Sequence, residues 1–282
     1  MNFVRPTQID EALAILANGD WDVLSGGTDY FPALRDEPPT SPILDISGIE
    51  SLKGVSHDAD GWRIGGLTTW TELIQADLPP AFDALKLAAR EVGSVQIQNR
   101  ATIAGNLCNA SPAADGVPPL LILDAVVELS SLRSKRVVPL ETFILGNRET
   151  ALSSDELVTA IIVPDIGAGG KSSFLKLGAR KYLVISIAMV ATRLSTEGDC
   201  VAEAAISVGA CSAVATRLAN LETALIGSPL SEVSTLVTPE RLNKLSPISD
   251  VRASKFYRQV AAVELVKRAC LLYTSPSPRD RG

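Results

Sequence analysis

Apolar and polar positions alternate in blocks that predict mixed α and β structure throughout. Phe3–Arg5 reads as a short strand, and Thr7 as a cap for a helix over Gln8–Ala17. Ile9, Leu13 and Leu16 form its apolar face at helical spacing, and Gly19 ends it. Val23-Leu24-Ser25 then runs into Gly26-Gly27, and Ile43–Ile46 is a further strand, so the first ~50 residues predict a small α/β unit. A second unit opens at Trp62–Gly66. Helices are expected over Thr71–Gln75 and Ala81–Val92, then a polar loop over Ser94–Ser111 and a kinked helix over Pro112–Leu123, since Pro118-Pro119 removes two backbone donors. Strands near Ala125–Leu129 and Leu157–Val163 close it. Pro164–Gly170 is glycine-rich and reads as a linker. The third unit is strand-like over Ser172–Leu177, Ile185–Leu194 and Ala202–Gly209. Helices follow over Leu218–Ile226, Pro239–Lys244 and Ser254–Ala269. The last helical pattern breaks at Cys270, where a Ser/Pro-rich stretch begins. Residues 270–282 look like translated sequencing-library adapter, and they are read as a non-native tail.

Composition narrows the chemistry. The longest apolar runs fall far short of the ~20 residues a membrane helix needs, and the first residues lack a signal-peptide layout. With 26 basic and 32 acidic side chains the net charge is −6, which argues against a nucleic-acid surface. The four cysteines are dispersed and there is a single histidine, His57, in an expected turn. That disfavours a zinc knuckle, an iron–sulfur cluster held by this chain alone, and a Ser–His–Asp triad. The expectation is a cytoplasmic protein whose chemistry belongs to a bound organic cofactor.

Two segments carry a site signal. In Leu24-Ser25-Gly26-Gly27-Thr28-Asp29, a glycine pair after a strand turns sharply and presents bare N–H groups, a nest suited to pyrophosphate, with Thr28 and Asp29 adding hydroxyl-binding groups. A plain Gly-Gly turn explains that segment alone as well. From Arg100 to Asp115 nearly every side chain is small or hydrogen-bonding. Asn106, Asn109 and Ser111 offer donors and acceptors, and Asp115 either binds a hydroxyl or caps a helix. Cys108 reads as a small buried thiol, and Trp21, Trp62 and Trp70 as core. Gly167–Ser172 lacks the first glycine and the following helix of a P-loop.

Together these segments resemble the flavin-binding (medium) subunits of molybdenum hydroxylases, the xanthine dehydrogenase and carbon monoxide dehydrogenase group. The resemblance extends through Pro118–Leu121, Gly146–Thr150, Lys176–Arg180 and Pro247–Ser254 with Tyr257-Arg258. It implies an α+β chain: a two-subdomain FAD-binding fold of the PCMH or vanillyl-alcohol-oxidase type (1–55 and 56–166), then a smaller C-terminal α+β domain with an antiparallel sheet (171–269). By carry-over, FAD contacts would come from Leu24, Ser25, Gly26, Gly27, Thr28, Asp29 and Tyr30, from Thr102, Ile103, Ala104, Gly105 and Asn106, and from Asp115, Val158 and Lys176, with Lys176 offsetting charge on reduced flavin. No catalytic side chain and no metal ligand is expected. Ala104 departs from the family pattern, which has glycine there. The implied role is electron transfer from [2Fe–2S] clusters on one partner subunit, beside a molybdopterin-binding large subunit, to NAD⁺ or another acceptor. A self-contained flavin oxidase or reductase and a flavin-free scaffold are the alternatives.

Overall fold

The computed structural model describes residues 2–165 and 169–272. The chain opens with β1 (Phe3–Val4), α1 (Ile9–Leu16), β2 (Asp22–Leu24), α2 (Tyr30–Leu34) and β3 (Ile43–Asp45). The strands form a parallel sheet in the order β1-β3-β2. Ala12, Leu13 and Leu16 of α1 bury against Leu44, Ile46 and Ile49. Gln8, not Thr7, stands at the N-cap and makes no side-chain cap bond. Packing of the apolar face therefore holds this helix in place of a cap.

The second unit contains β4 (Val55–Asp58), β5 (Gly61–Gly65), α3 (Trp70–Gln75), α4 (Asp83–Glu91), α5 (Val95–Gln98), α6 (Ile103–Asn109) and α7 (Val117–Ile122). It continues through β6 (Val126–Ser130), β7 (Lys135–Pro139), α8 (Leu140–Phe143), β8 (Ile144–Gly146), β9 (Glu149–Thr150) and β10 (Leu157–Val163). β8 and β9 pair as a hairpin. An antiparallel sheet runs β4-β5-β10-β6-β7, with the apolar β10 at its centre. Three expectations fail here. The polar loop contains α5 and α6, because Ser94 and Thr102 each cap a helical turn by accepting from the N–H three residues on. The proline pair does not kink a helix but opens α7, where the missing donors are needed least. His57 sits in β4 rather than in a turn, its Nε2 2.8 Å from Asp165 Oδ1.

The third unit holds β11 (Lys171–Leu177), β12 (Ala188–Glu197), β13 (Cys200–Gly209), β14 (Thr216–Arg217), α9 (Ala219–Leu225), α10 (Val233–Leu236) and α11 (Lys255–Leu271). Its antiparallel sheet is ordered β11-β12-β13-β14. Side chains alternate along β12. Ala188, Val190 and Leu194 join a core with α9 and α11, while Met189 and Ala191 pack with Phe174 against Ala84, Ala88 and Ile122 of the second unit. Both faces are thus covered. Two arginines bind the units further: Arg193 Nε donates to Ile122 O at 2.8 Å and Arg217 Nη1 to Leu121 O at 2.8 Å. Arg193 thereby satisfies a carbonyl that the C-terminal end of α7 leaves open, while Arg217 joins Asp124 N on the Leu121 carbonyl. Ser172 Oγ of β11 likewise accepts from Ala84 N in the first turn of α4.

α11 starts where the pattern placed it, and Ser254 caps it by accepting from Tyr257 N. The helix does not break at Cys270 but continues to Leu271, because Cys270 is buried in the core shared with α9. The rest of the expected tail, 273–282, and residues 166–168 of the expected linker lie outside the described residues. No helix among the described residues is long and apolar enough to cross a membrane.

Candidate flavin cleft

The end of β2, the start of α6, the segment before α7, the start of β10 and the end of β11 enclose a cleft of about 1000 Å³. That is the upper end of the range for small-molecule sites. The turn after β2 forms one wall, and Leu24, Ser25, Gly26, Gly27, Thr28, Asp29 and Tyr30 all line it. Two glycines are required there for different reasons. A Cβ on Gly26 would lie 2.1 Å from the Arg100 carbonyl oxygen, so the turn and the segment before α6 meet backbone to backbone. Gly27 adopts φ +73°, a left-handed conformation costly for any side chain. The amides of Gly26, Gly27 and Thr28 have no hydrogen-bond partner among the described residues. Tyr30 is tethered through its hydroxyl to Asp22 Oδ2 at 2.9 Å, and desolvation with that carboxylate raises its pKa.

The opposite wall is built differently. Thr102, Ala104, Gly105 and Asn106 line the cleft, but Ile103 does not; it is 1% exposed and belongs to the core. The first amides of α6 are all engaged: Ile103 with Thr68 O, Ala104 with Gly66 O, Gly105 with Thr102 Oγ1 and Asn106 with Thr102 O. This segment therefore presents side chains and close packing, not bare N–H groups. Ser25 Oγ and Thr102 Oγ1, 3.2 Å apart, join the two walls. Ala104 lies inside a right-handed helix and is absent from the positive-φ residues, so its methyl group is accommodated and the departure at this position does not distort the wall. Asn106 Oδ1 and Trp70 Nε1 are buried without partners, and both residues line the cleft. A buried orphan acceptor is costly unless a ligand satisfies it.

The far end holds a buried ion pair. Lys176 Nζ lies 2.6 Å from Asp115 Oδ2, and both side chains are below 10% exposed. Ser186 Oγ donates to Asp115 Oδ1 at 2.6 Å, and Lys176 also donates to Glu91 O at 3.3 Å. Burial raises the Asp115 pKa, opposed by Lys176 and Ser186. Asp115 caps no helix; Gly116 stands at that position of α7. Val158 of β10 lines the cleft beside Gly66. Cys108, expected to be buried in packing, is exposed to the cleft while lying deep in the protein; desolvation pushes its thiol up to about 12.

Sequence reasoning missed several lining residues. Trp70, which reads as core, serves both the core and the cleft. Asn147 and Arg148 line the cleft from the β8–β9 turn. Leu183, Val184 and Ile185 form the cleft rim. Ile185 reads as the start of a strand, but β12 begins at Ala188. An apolar triplet shows no difference between strand and rim when its exposure is unknown.

Fold and cleft define a two-part flavin-binding protein. Residues 1–166 match the family described as FAD binding domain in molybdopterin dehydrogenase, and residues 173–272 match the CO dehydrogenase flavoprotein C-terminal domain. The chain belongs to this family: it is an FAD-binding subunit of molybdenum hydroxylase-type dehydrogenases, which are oxidoreductases. It is 30% identical to the nicotinate dehydrogenase FAD-subunit of Eubacterium barkeri, over 94% of this chain and 93% of that one. It is also 30% identical to the xanthine dehydrogenase FAD-binding subunit of Escherichia coli O157:H7, over 91% and 90%. The carbon monoxide dehydrogenase structure from Hydrogenophaga pseudoflava superposes with a TM-score of 0.83 at 26% identity, over 95% of both chains.

Proposed function

We propose that the cleft holds FAD and that this chain is the electron-transfer subunit of a cytoplasmic heterotrimeric complex. In this reading a [2Fe–2S] subunit delivers electrons, a molybdopterin-binding large subunit acts on the substrate, and NAD⁺ or another acceptor takes the electrons away. FAD-binding subdomains over 1–55 and 56–166 would flank the cofactor, and 171–269 would close the cleft. Bound FAD supplies the chemistry of taking electrons singly and releasing them in pairs.

The carrying observation is the row of amides at Gly26, Gly27 and Thr28, unpartnered among the described residues, on residues that line a cleft of dinucleotide size. Three N–H groups on a glycine turn suit a diphosphate. The first amides of α6 are occupied, so the opposite wall would contribute through Asn106 and through the close approach that Gly105 permits. Lys176 has three N–H donors, of which two are used by Asp115 and Glu91. Lys176 is held at the cleft wall by Asp115 and Glu91, which leaves one N–H donor for the flavin beside the charge-offsetting role that the resemblance implies. The four cysteines are free and separate, which suits a reducing compartment and clusters carried by another chain.

The test is reconstitution of the purified chain with FAD, followed by desalting and absorbance. The expected result is stoichiometric yellow protein, with the flavin lost in Gly27→Val. Retention of FAD by that variant at the level of the unaltered chain would overturn the assignment of the turn.

A further inference from the structure

Ser186 is 1% exposed and follows Ile185, which is 62% exposed at the cleft rim. No sequence pattern marks it, yet its hydroxyl is the second partner of the Asp115 carboxylate. Its backbone is held from the other side. Arg252 Nη1 donates to Ser186 O at 3.4 Å, and Arg258 Nη1 to Ile187 O at 2.5 Å and Ala210 O at 2.8 Å. Asp250 ties the two arginines together: Oδ1 accepts from Arg258 Nη2 at 2.7 Å and Oδ2 from Arg252 Nε at 2.9 Å. Ile187 N closes the base of the rim segment by donating to Leu177 O at 2.8 Å.

We propose that Ser186 is a positioning residue for the flavin cleft: clamped by Arg258, Arg252 and Asp250, it fixes the Asp115 carboxylate so that Lys176 Nζ is held at the cleft wall. The geometry carries this. A carboxylate rotates freely about its χ2 unless both oxygens are held. Here one oxygen is fixed by a hydroxyl whose own carbonyl is held by Arg252, which Asp250 ties to Arg258 of α11, and only the other bonds Lys176. Without Ser186, Asp115 would keep one partner, and Lys176 could follow it away from the wall. The ammonium would then be more often unpaired and open to reagents entering the cleft.

The proposal rests on the cleft being the FAD site, and the test separates the two. Lys176 acetylation by acetic anhydride is followed by mass spectrometry in the ligand-free chain, beside FAD affinity from fluorescence. Loss of a hydrogen bond to a charged group implies changes of about tenfold. Ser186→Ala should acetylate Lys176 about tenfold faster and bind FAD about tenfold more weakly. In an Asp115→Asn background it should change the acetylation rate no further. Arg252→Ala, at the partly exposed outer end of the clamp, should shift both readouts in the same direction by about threefold, and it keeps the test alive if the Ser186 variant fails to fold. An unchanged acetylation rate, or equal acceleration in both backgrounds, overturns the positioning role. Faster acetylation with unaltered FAD affinity overturns its bearing on the cofactor. If the unaltered chain takes up no FAD while Ser186→Ala still accelerates acetylation, the cofactor reading falls and the fixing of the ion pair stands.

Discussion

The two cleft walls have similar compositions and opposite construction. The turn at Leu24–Tyr30 is irregular, with a glycine in the left-handed region and three amides lacking partners among the described residues. The segment at Thr102–Asn109 is a capped helical turn whose first amides are all occupied. Small residues serve backbone conformation and exposed N–H groups in the first wall. In the second they serve packing density, and a ligand can be met only by side chains such as Asn106. Substitutions of like size should therefore act unequally on the two sides.

The largest effect should come from Gly26→Ala. Its new Cβ would meet the Arg100 carbonyl at 2.1 Å, and backbone on both sides gives little room to relax. We expect destabilisation of about 3 kcal/mol or more with loss of FAD, read by thermal unfolding and flavin content; a stable, yellow alanine variant would break the comparison at its strongest point. Gly27→Val comes next. Its backbone is left-handed, and a Cβ there would stand 2.8 Å from the Phe31 ring. Together these should cost about 2 kcal/mol and abolish flavin retention on desalting.

On the helical wall the signs should diverge. Asn106 Oδ1 is buried without a partner, so Asn106→Leu should leave the ligand-free unfolding temperature unchanged or raised while weakening FAD binding by about 1–3 kcal/mol. Calorimetric titration beside thermal unfolding checks both; equal losses in stability and affinity would mean the amide is structural only. The smallest effect on this wall belongs to Ala104→Gly. This change restores the family's glycine but places it inside a helix, at a cost of about 0.5–1 kcal/mol. FAD affinity should not move, and a gain in affinity would show that the methyl group does obstruct the cleft.

The sheet of the second unit offers a sharper pH test than the cleft itself. Desolvation works against the Glu128 carboxylate, yet hydrogen bonds from Arg63, Lys135 and Thr159 hold its pKa down at about 2. A depressed pKa means that the folded state favours the anion. Its stabilisation is present above the usual carboxylate range and disappears as pH falls from about 4.5 toward 2. Glu128→Gln should flatten the acid limb of the unfolding profile in that window, and an unchanged limb would remove this cluster from the acid response.

Much of this was legible in sequence because it depends on short-range rules. The apolar run along Leu157–Val163, the helical pattern from Ser254 and the glycine pair after Val23–Leu24 are local signals, and they mark strand, helix start and turn correctly. The chain by itself thus marked most of the strands and helices and the two glycine-bearing segments that line the cleft, while the α+β class and the pairing of those segments came through the family resemblance they carry. Tertiary structure decided what spacing does not encode. It put helices where composition reads as a polar loop, capped by Ser94 and Thr102 and with Ile103 and Leu107 buried in the core. It kept α11 going through Cys270, because that thiol enters a core built from α9 and β12. It also turned Lys176 from a strand lysine into half of a buried pair, since Asp115 and Glu91 reach it from 61 and 85 residues away. Burial sets the energy of a charge, and burial is a property of the assembled fold.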